Sequence, residues 1–116
     1  MYRRGGNSGG GGMNMQQMLK QAQKMQEQMQ VDMARVEGEL ETTLIQASVG
    51  GGAVTVEATG MRKIHSITIK PEAVDPEDVE MLQDLILAAV NEALRQAEET
   101  AAREMEKVTG NMKLPF

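Results

Sequence analysis

The chain is predicted to fold as one α+β domain in the order long helix, three-stranded antiparallel meander, long helix. Three observations carry this reading. Between residues 15 and 40, apolar side chains recur at steps of three and four, the helical period. Between residues 44 and 69 the period drops to two, broken by glycines at 50–52 and 60. After "DPED" at 75–78, steps of three and four resume and persist to residue 108.

Each element follows from its own residues. "MYRRGGNSGGGG" at 1–12 is glycine-rich and nearly without apolar groups, so it reads as a flexible arm whose charges are Arg3 and Arg4. The first helix is expected to start near Asn14, a good N-cap residue. Its stripe is Met15, Met18, Ala22, Met25, Met29, Met33, Val36 and Leu40. A helix of about 27 residues is roughly 40 Å long, too long for a domain of this size to cover. Part of it must project or lie against a second chain.

"LIQASV" and "AVTVEAT" alternate in twos around the glycine turn. In "RKIHSITIK" the parity breaks between Ile64 and Ile67, and a bulge near His65 would reconcile it. Asp75 is expected to cap the last helix, with Pro76 as its first residue. That helix carries a rich apolar side up to Leu94 and then alanines among glutamates, so its far end is also expected to project. Gly110 reads as its stop, which sets the domain at 13–109 and a flexible tail at 110–116.

Composition narrows the chemistry. The chain has 116 residues, no cysteine, and only Tyr2 and Phe116 as aromatics. Disulfides, thiolate metal sites and thiol catalysis are thereby excluded. No apolar run approaches the roughly 20 residues of a membrane span, and "MYRRGG" is not followed by the apolar stretch of a secretory signal. A cytoplasmic protein with no membrane partner is the expectation. The net charge of −5 is uneven: residues 1–70 hold eight basic and six acidic groups, and residues 71–116 hold four and eleven. A polyanion should therefore meet the first half.

Three stretches, "MLKQAQKMQEQMQ" at 18–30, "PEAVDPEDVEMLQDLILAAVNEALRQAEE" at 71–99 and the closing "MKLPF", resemble the YbaB/EbfC family of bacterial nucleoid-associated proteins. The likeness covers roughly residues 13–116. It implies a tweezer-like homodimer that binds duplex DNA with little sequence preference, through positions on two protruding helices, and helps organise, bridge or compact the nucleoid. Here those positions are Lys20 and Lys24, then Arg95, Arg103 and Lys107. The glycine-rich leader with Arg3 and Arg4 departs from the family pattern, and the tail is shorter.

Lys20 and Lys24 share one helix face, clear of the methionines, and suit phosphate contacts doubled by dimer symmetry. Arg3 and Arg4 would add a basic tether, for about eight phosphate contacts per dimer and weak, salt-sensitive binding. The lack of aromatic stacking platforms disfavours single strands. Arg95, Arg103 and Lys107 sit among glutamates, and an intrahelical pair from Glu99 to Arg103 is the competing reading. Arg62 and Lys63 form either a basic hairpin tip or an ordinary polar turn. His65, the single histidine, has no metal-ligand companion, and the acids at 75, 77, 78 and 80 suit capping better than a metal. No nucleophile–base pair is present, so neither an enzyme nor a cofactor is expected. Met15, Met18, Met25, Met29, Met33 and Val36 are assigned to dimer or core packing, since methionine fills irregular gaps between helices. The alternative is a dimeric protein-interaction module in which a Met-rich groove between the projecting helices holds other proteins.

Overall fold

The computed structural model describes residues 4–111, with residues 4–13 and 111 described in backbone only. The elements are α1 (Arg4–Thr42), β1 (Leu44–Val49), β2 (Val54–Thr59), β3 (Ile64–Ile69), a 3-10 turn at Pro71–Ala73, and α2 (Val79–Asn111). This is the predicted α-β-β-β-α order, with the strands in one antiparallel sheet in chain order. The molecule is long, 94 × 22 × 16 Å. Its radius of gyration is 25.3 Å, against about 13 Å for a compact chain of this length.

The ends of the helices depart from the sequence reading. α1 begins at Arg4, ten residues before the expected cap at Asn14. The backbone ladder needs no side chain, so glycines weaken it by about 1 kcal/mol each without forbidding it. Residues 4–12 of the expected arm are thus helical backbone, while Arg3 lies outside the described residues. α2 starts after Asp78 rather than Asp75. Asp78 Oδ1 accepts the N–H of Met81 at 3.2 Å, the capping bond, while Asp75 Oδ1 accepts the N–H of Glu77 in a preceding turn. α2 also runs through Gly110 to Asn111, and the rest of the expected tail lies outside the described residues.

The sheet is built as its alternation predicts. Gly50, Gly51 and Gly52 all take positive φ, which only glycine adopts freely, and they reverse the chain between β1 and β2. Along β2 and β3, Val54 pairs with Ile69, Val56 with Ile67 and Glu57 with Ser66, but Ala58 pairs with Ile64. His65 is the extra residue of a bulge. It brings Ile64, Ile67 and Ile69 to the one face that also carries Val54, Val56 and Ala58.

α2 covers that face. Its Ala89 and Ala93 are fully buried on Ala47, Val54, Val56 and Ala58, flanked by Leu82, Leu85, Ile86 and Val90. Small alanines let the helix approach closely, and each fully buried valine contributes about 1.5–3 kcal/mol. The opposite face, with Gln46, Ser48, Thr55, Glu57, Ser66 and Thr68, stays wet. There Ser66 Oγ donates to Glu57 Oε1 at 2.8 Å, and the Ser48 and Thr55 hydroxyls lie 3.1 Å apart.

A second cluster forms where the two helices leave the sheet. Val36 and Leu40 of α1 bury with Val108 of α2, and Met29, Ala101 and Met105 pack around them. The helices run antiparallel there. The far end of α2 therefore outruns the sheet, as expected, but lies along α1 instead of standing alone. The junction is closed by the β2–β3 hairpin, whose Gly60 N–H donates to the Leu40 carbonyl at 2.9 Å and to that of Thr43 at 3.0 Å. Gly60 has no room for a side chain: a Cβ there would lie 2.6 Å from Leu40 Cδ2.

Candidate nucleic-acid interface

The arm made by the two helices has a supported base and a bare end. From Asn14 to Gln28, every residue of α1 is exposed. The stripe that α2 covers at Met29, Val36 and Leu40 continues uncovered, with Met15 65%, Met18 66% and Met25 41% exposed. Met29 and Val36 belong to the cluster that α2 covers. Among the described residues Met15, Met18 and Met25 join neither packed cluster, and Met33 is 37% exposed at the flank of the second one.

Lys20 and Lys24 sit on the side of α1 opposite the stripe, a consequence of their spacing from Met18, Ala22 and Met25 at 100° per residue. Neither has an ion-pair partner among the described residues. The neighbouring Gln28 is engaged elsewhere, its Nε2 donating to Asp32 Oδ1 at 3.0 Å. Lys24 is 16 residues, or about 24 Å, from Leu40 at the base of the arm. The pair is therefore a small, exposed cationic face near the middle of α1, beyond the stretch that α2 covers.

The cations of α2 are arranged differently. Arg95 grips Glu92 with two parallel hydrogen bonds, Nε to Oε1 at 3.0 Å and Nη2 to Oε2 at 2.6 Å, and pairs with Glu99 through Nη1. The Arg95 bonds, helped by one from Gln96, hold the Glu92 carboxyl down at about 2. The same pairing raises the Arg95 guanidinium further above its ordinary value. Arg95 is thus neutralised within its own helix. Lys107 Nζ lies 3.1 Å from Glu104, whereas Arg103, among the described residues, bonds the Thr100 hydroxyl at 3.3 Å and no carboxylate. The expected Glu99–Arg103 pair is absent, because Glu99 turns to Arg95.

The structure therefore does not gather the sequence-predicted cations into one patch. Lys20 and Lys24 stand beyond the helix–helix contact, Arg103 and Lys107 stand beside it, and Arg95 lies nearer the sheet. Arg4 opens α1, with its side chain outside the described residues.

Arg62, read from the sequence as part of a hairpin tip or polar turn, has a backbone that the sequence reading did not foresee. Arg62 has φ +63, in the left-handed region where glycine or asparagine usually sits. Its position after Thr59–Gly60–Met61 is the left-handed site of a three-residue hairpin loop, so the loop length was the available signal. The guanidinium lies 3.9 Å from Glu98 across a cleft of ≈ 290 Å³ bordered by Glu37, Leu40, Met61 and Met105.

A sequence model of the YbaB/EbfC DNA-binding family matches residues 10–112. The chain belongs to that family. It is similar to a nucleoid-associated protein of Clostridium novyi, 59% identical over 113 residues, which cover 97% of this chain and 96% of that one. A nucleoid-associated protein of Acetivibrio thermocellus is 60% identical over 109 residues, 94% of this chain and 92% of that one. The crystal structure of an uncharacterized Helicobacter pylori protein superposes with a TM-score of 0.65 at 22% identity, covering 80% of this chain and 94% of that one, and shares the fold. Among the described residues, no helix is long and apolar enough to cross a membrane.

Proposed function

We propose that the protein binds duplex DNA as a homodimer at the bacterial nucleoid, within the cytoplasm, and that Lys20 and Lys24 are its principal phosphate contacts. The observation that carries this is that these two exposed lysines have no ion-pair partner among the described residues, while Arg95 and Lys107 are held by glutamates. A narrow, uncovered stretch of helix with two cations and surrounding glutamines fits along a sugar–phosphate backbone and reads no base edges. Arg103 is the cation of α2 best placed to join them. Bridging or compaction follows when the two arms of a dimer engage separate duplexes.

The homodimer is supported by an apolar surface that one chain leaves open. α2 lies over β1 and β2 and leaves Ile64 37% and Ile67 46% exposed, although both are on the core face of the sheet. Leu87 of α2 adds a side chain 60% exposed. Uncovered isoleucines on an edge strand mark a surface that a second copy would bury.

The test is duplex binding at about 50 and 200 mM salt. A dimer with four such lysines releases about 3.6 counterions through them, worth roughly 150-fold in affinity over that range. Lys20→Gln/Lys24→Gln should flatten the salt dependence by that amount. A double variant with an unchanged salt slope would place the contact elsewhere.

A further inference from the structure

We propose that the uncovered methionine stripe of α1 is a second self-association surface, pairing the arm of one dimer with the arm of another. The inference rests on the DNA-binding homodimer proposed above and supplies the contact through which DNA-bound dimers join.

Continuity is the first argument. Within the chain, this stripe already packs against a helix: α2 lays Ala101, Met105 and Val108 on Leu40, Val36 and Met29. That cover ends with the end of α2, yet the same spacing runs on through Met25, Ala22, Met18 and Met15. The outer turns carry the same packing surface with no helix over it among the described residues.

The flanks of the stripe favour a copy of the same helix. Leu19, Gln21, Gln26 and Gln28 border it, and none is charged. Lys20, Lys24 and Glu27 all lie on the opposite face. Two such helices can meet along their stripes without bringing like charges together, and no charged edge selects a foreign partner. Flexible thioethers on both helices can take up the irregular gaps between them. Because the stripe and the lysines are on opposite faces, α1 can hold another α1 and a phosphate backbone together.

About three turns of each helix make this contact, which is small beside the roughly 1,200–2,000 Å² of a stable interface. It should be weak in free solution and strengthen when DNA concentrates the dimers.

Sedimentation velocity on the full chain without DNA, from about 1 to 200 µM, tests it against the neutral Met18→Gln/Met25→Gln. Both side chains are exposed, so the variant folds. The expected result is a wild type that rises from dimer mass towards twice that mass, and a variant that stays a dimer yet binds a short duplex as wild type does. A wild type that remains a dimer at every concentration, or a variant that still associates, overturns the pairing. So does a variant that falls to monomer mass, which would make the stripe the primary dimer contact. Association lost on removing residues 112–116 but kept in the methionine variant also overturns it and assigns the contact to the tail. Failed DNA binding by a wild type that still associates would overturn the DNA reading and leave the pairing standing.

Discussion

Gly60→Ala tests the junction that holds the arm to the sheet. A methyl at this position would lie 2.6 Å from Leu40 Cδ2, 3.0 Å from Leu40 Cβ and 3.0 Å from the Leu40 carbonyl oxygen. That oxygen accepts the N–H of Gly60 itself, so backbone retreat lengthens the bond that ends α1. Overpacking of this kind costs about 1–3 kcal/mol, and a weakened peptide hydrogen bond adds up to about 1 kcal/mol. The expected loss is about 2–3 kcal/mol, or a fall of roughly 1–2 M in the urea midpoint for a small protein. Circular dichroism should follow the unfolding at one fixed protein concentration, because the stability of an oligomer depends on it. Leu40→Ala alone should cost about 2–5 kcal/mol, since Leu40 is buried in the second cluster. The two changes together should cost less than their sum by about 1 kcal/mol or more, because the shortened side chain makes room for the methyl. A Gly60→Ala change within roughly 0.5 kcal/mol of wild type, or full additivity with Leu40→Ala, would refute the contact as described.

Asp78→Ala should destabilise by about 1 kcal/mol through loss of the α2 cap, and Asp75→Ala by less, as compared by thermal unfolding. Arg62→Gly should leave stability unchanged or raise it by up to about 1 kcal/mol by relieving the left-handed backbone, whereas Arg62→Val should lower it by about 1 kcal/mol or more; equal effects from both would contradict the geometry. The Glu92 carboxyl should titrate near 2 by carbon-detected NMR, well under its ordinary value of 4.5. Because its folded value is lowered, its contribution to stability is present above pH 4.5 and fades as the pH falls towards 2. Arg95→Gln should return the midpoint to the ordinary range.

Much of the fold was legible in the residues because each element imposes its own period. The break between Ile64 and Ile67 was enough to place the bulge at His65, and three consecutive glycines marked a turn of positive φ. The helix ends were less legible. Asp75 and Asp78 are both good caps, and Pro76 suits a first helical position. The decision falls to local hydrogen bonds: Asp78 N–H donates to the Asp75 carbonyl in a turn of its own. The ion pairs were ambiguous for a similar reason. Glu99 is four residues from both Arg95 and Arg103, and spacing alone cannot divide it. Arg95 takes it because Glu92 and Glu99 embrace the same guanidinium. The lysine pair of α1 was legible from i, i+4 spacing. Its isolation from Arg95 was not, because that depends on where α2 stops along α1. The Gly60–Leu40 approach is a contact between distant segments and leaves no mark in either stretch.

The bulge at His65 acts as a phase shifter for the whole hairpin. Paired strands count residues in twos, so a regular β3 could satisfy only one end of the sheet. With one residue added, Ile69 reaches the core opposite Val54 while the hairpin tip still delivers Gly60 to the end of α1. Length in this strand is therefore as constrained as composition. Losing one residue would restore an even ladder at the cost of either turning Ile64 into water or pulling the tip off the helix. Evolutionary drift should be permissive in side-chain identity on the wet face of the sheet and closed to insertions and deletions between Lys63 and Ile69.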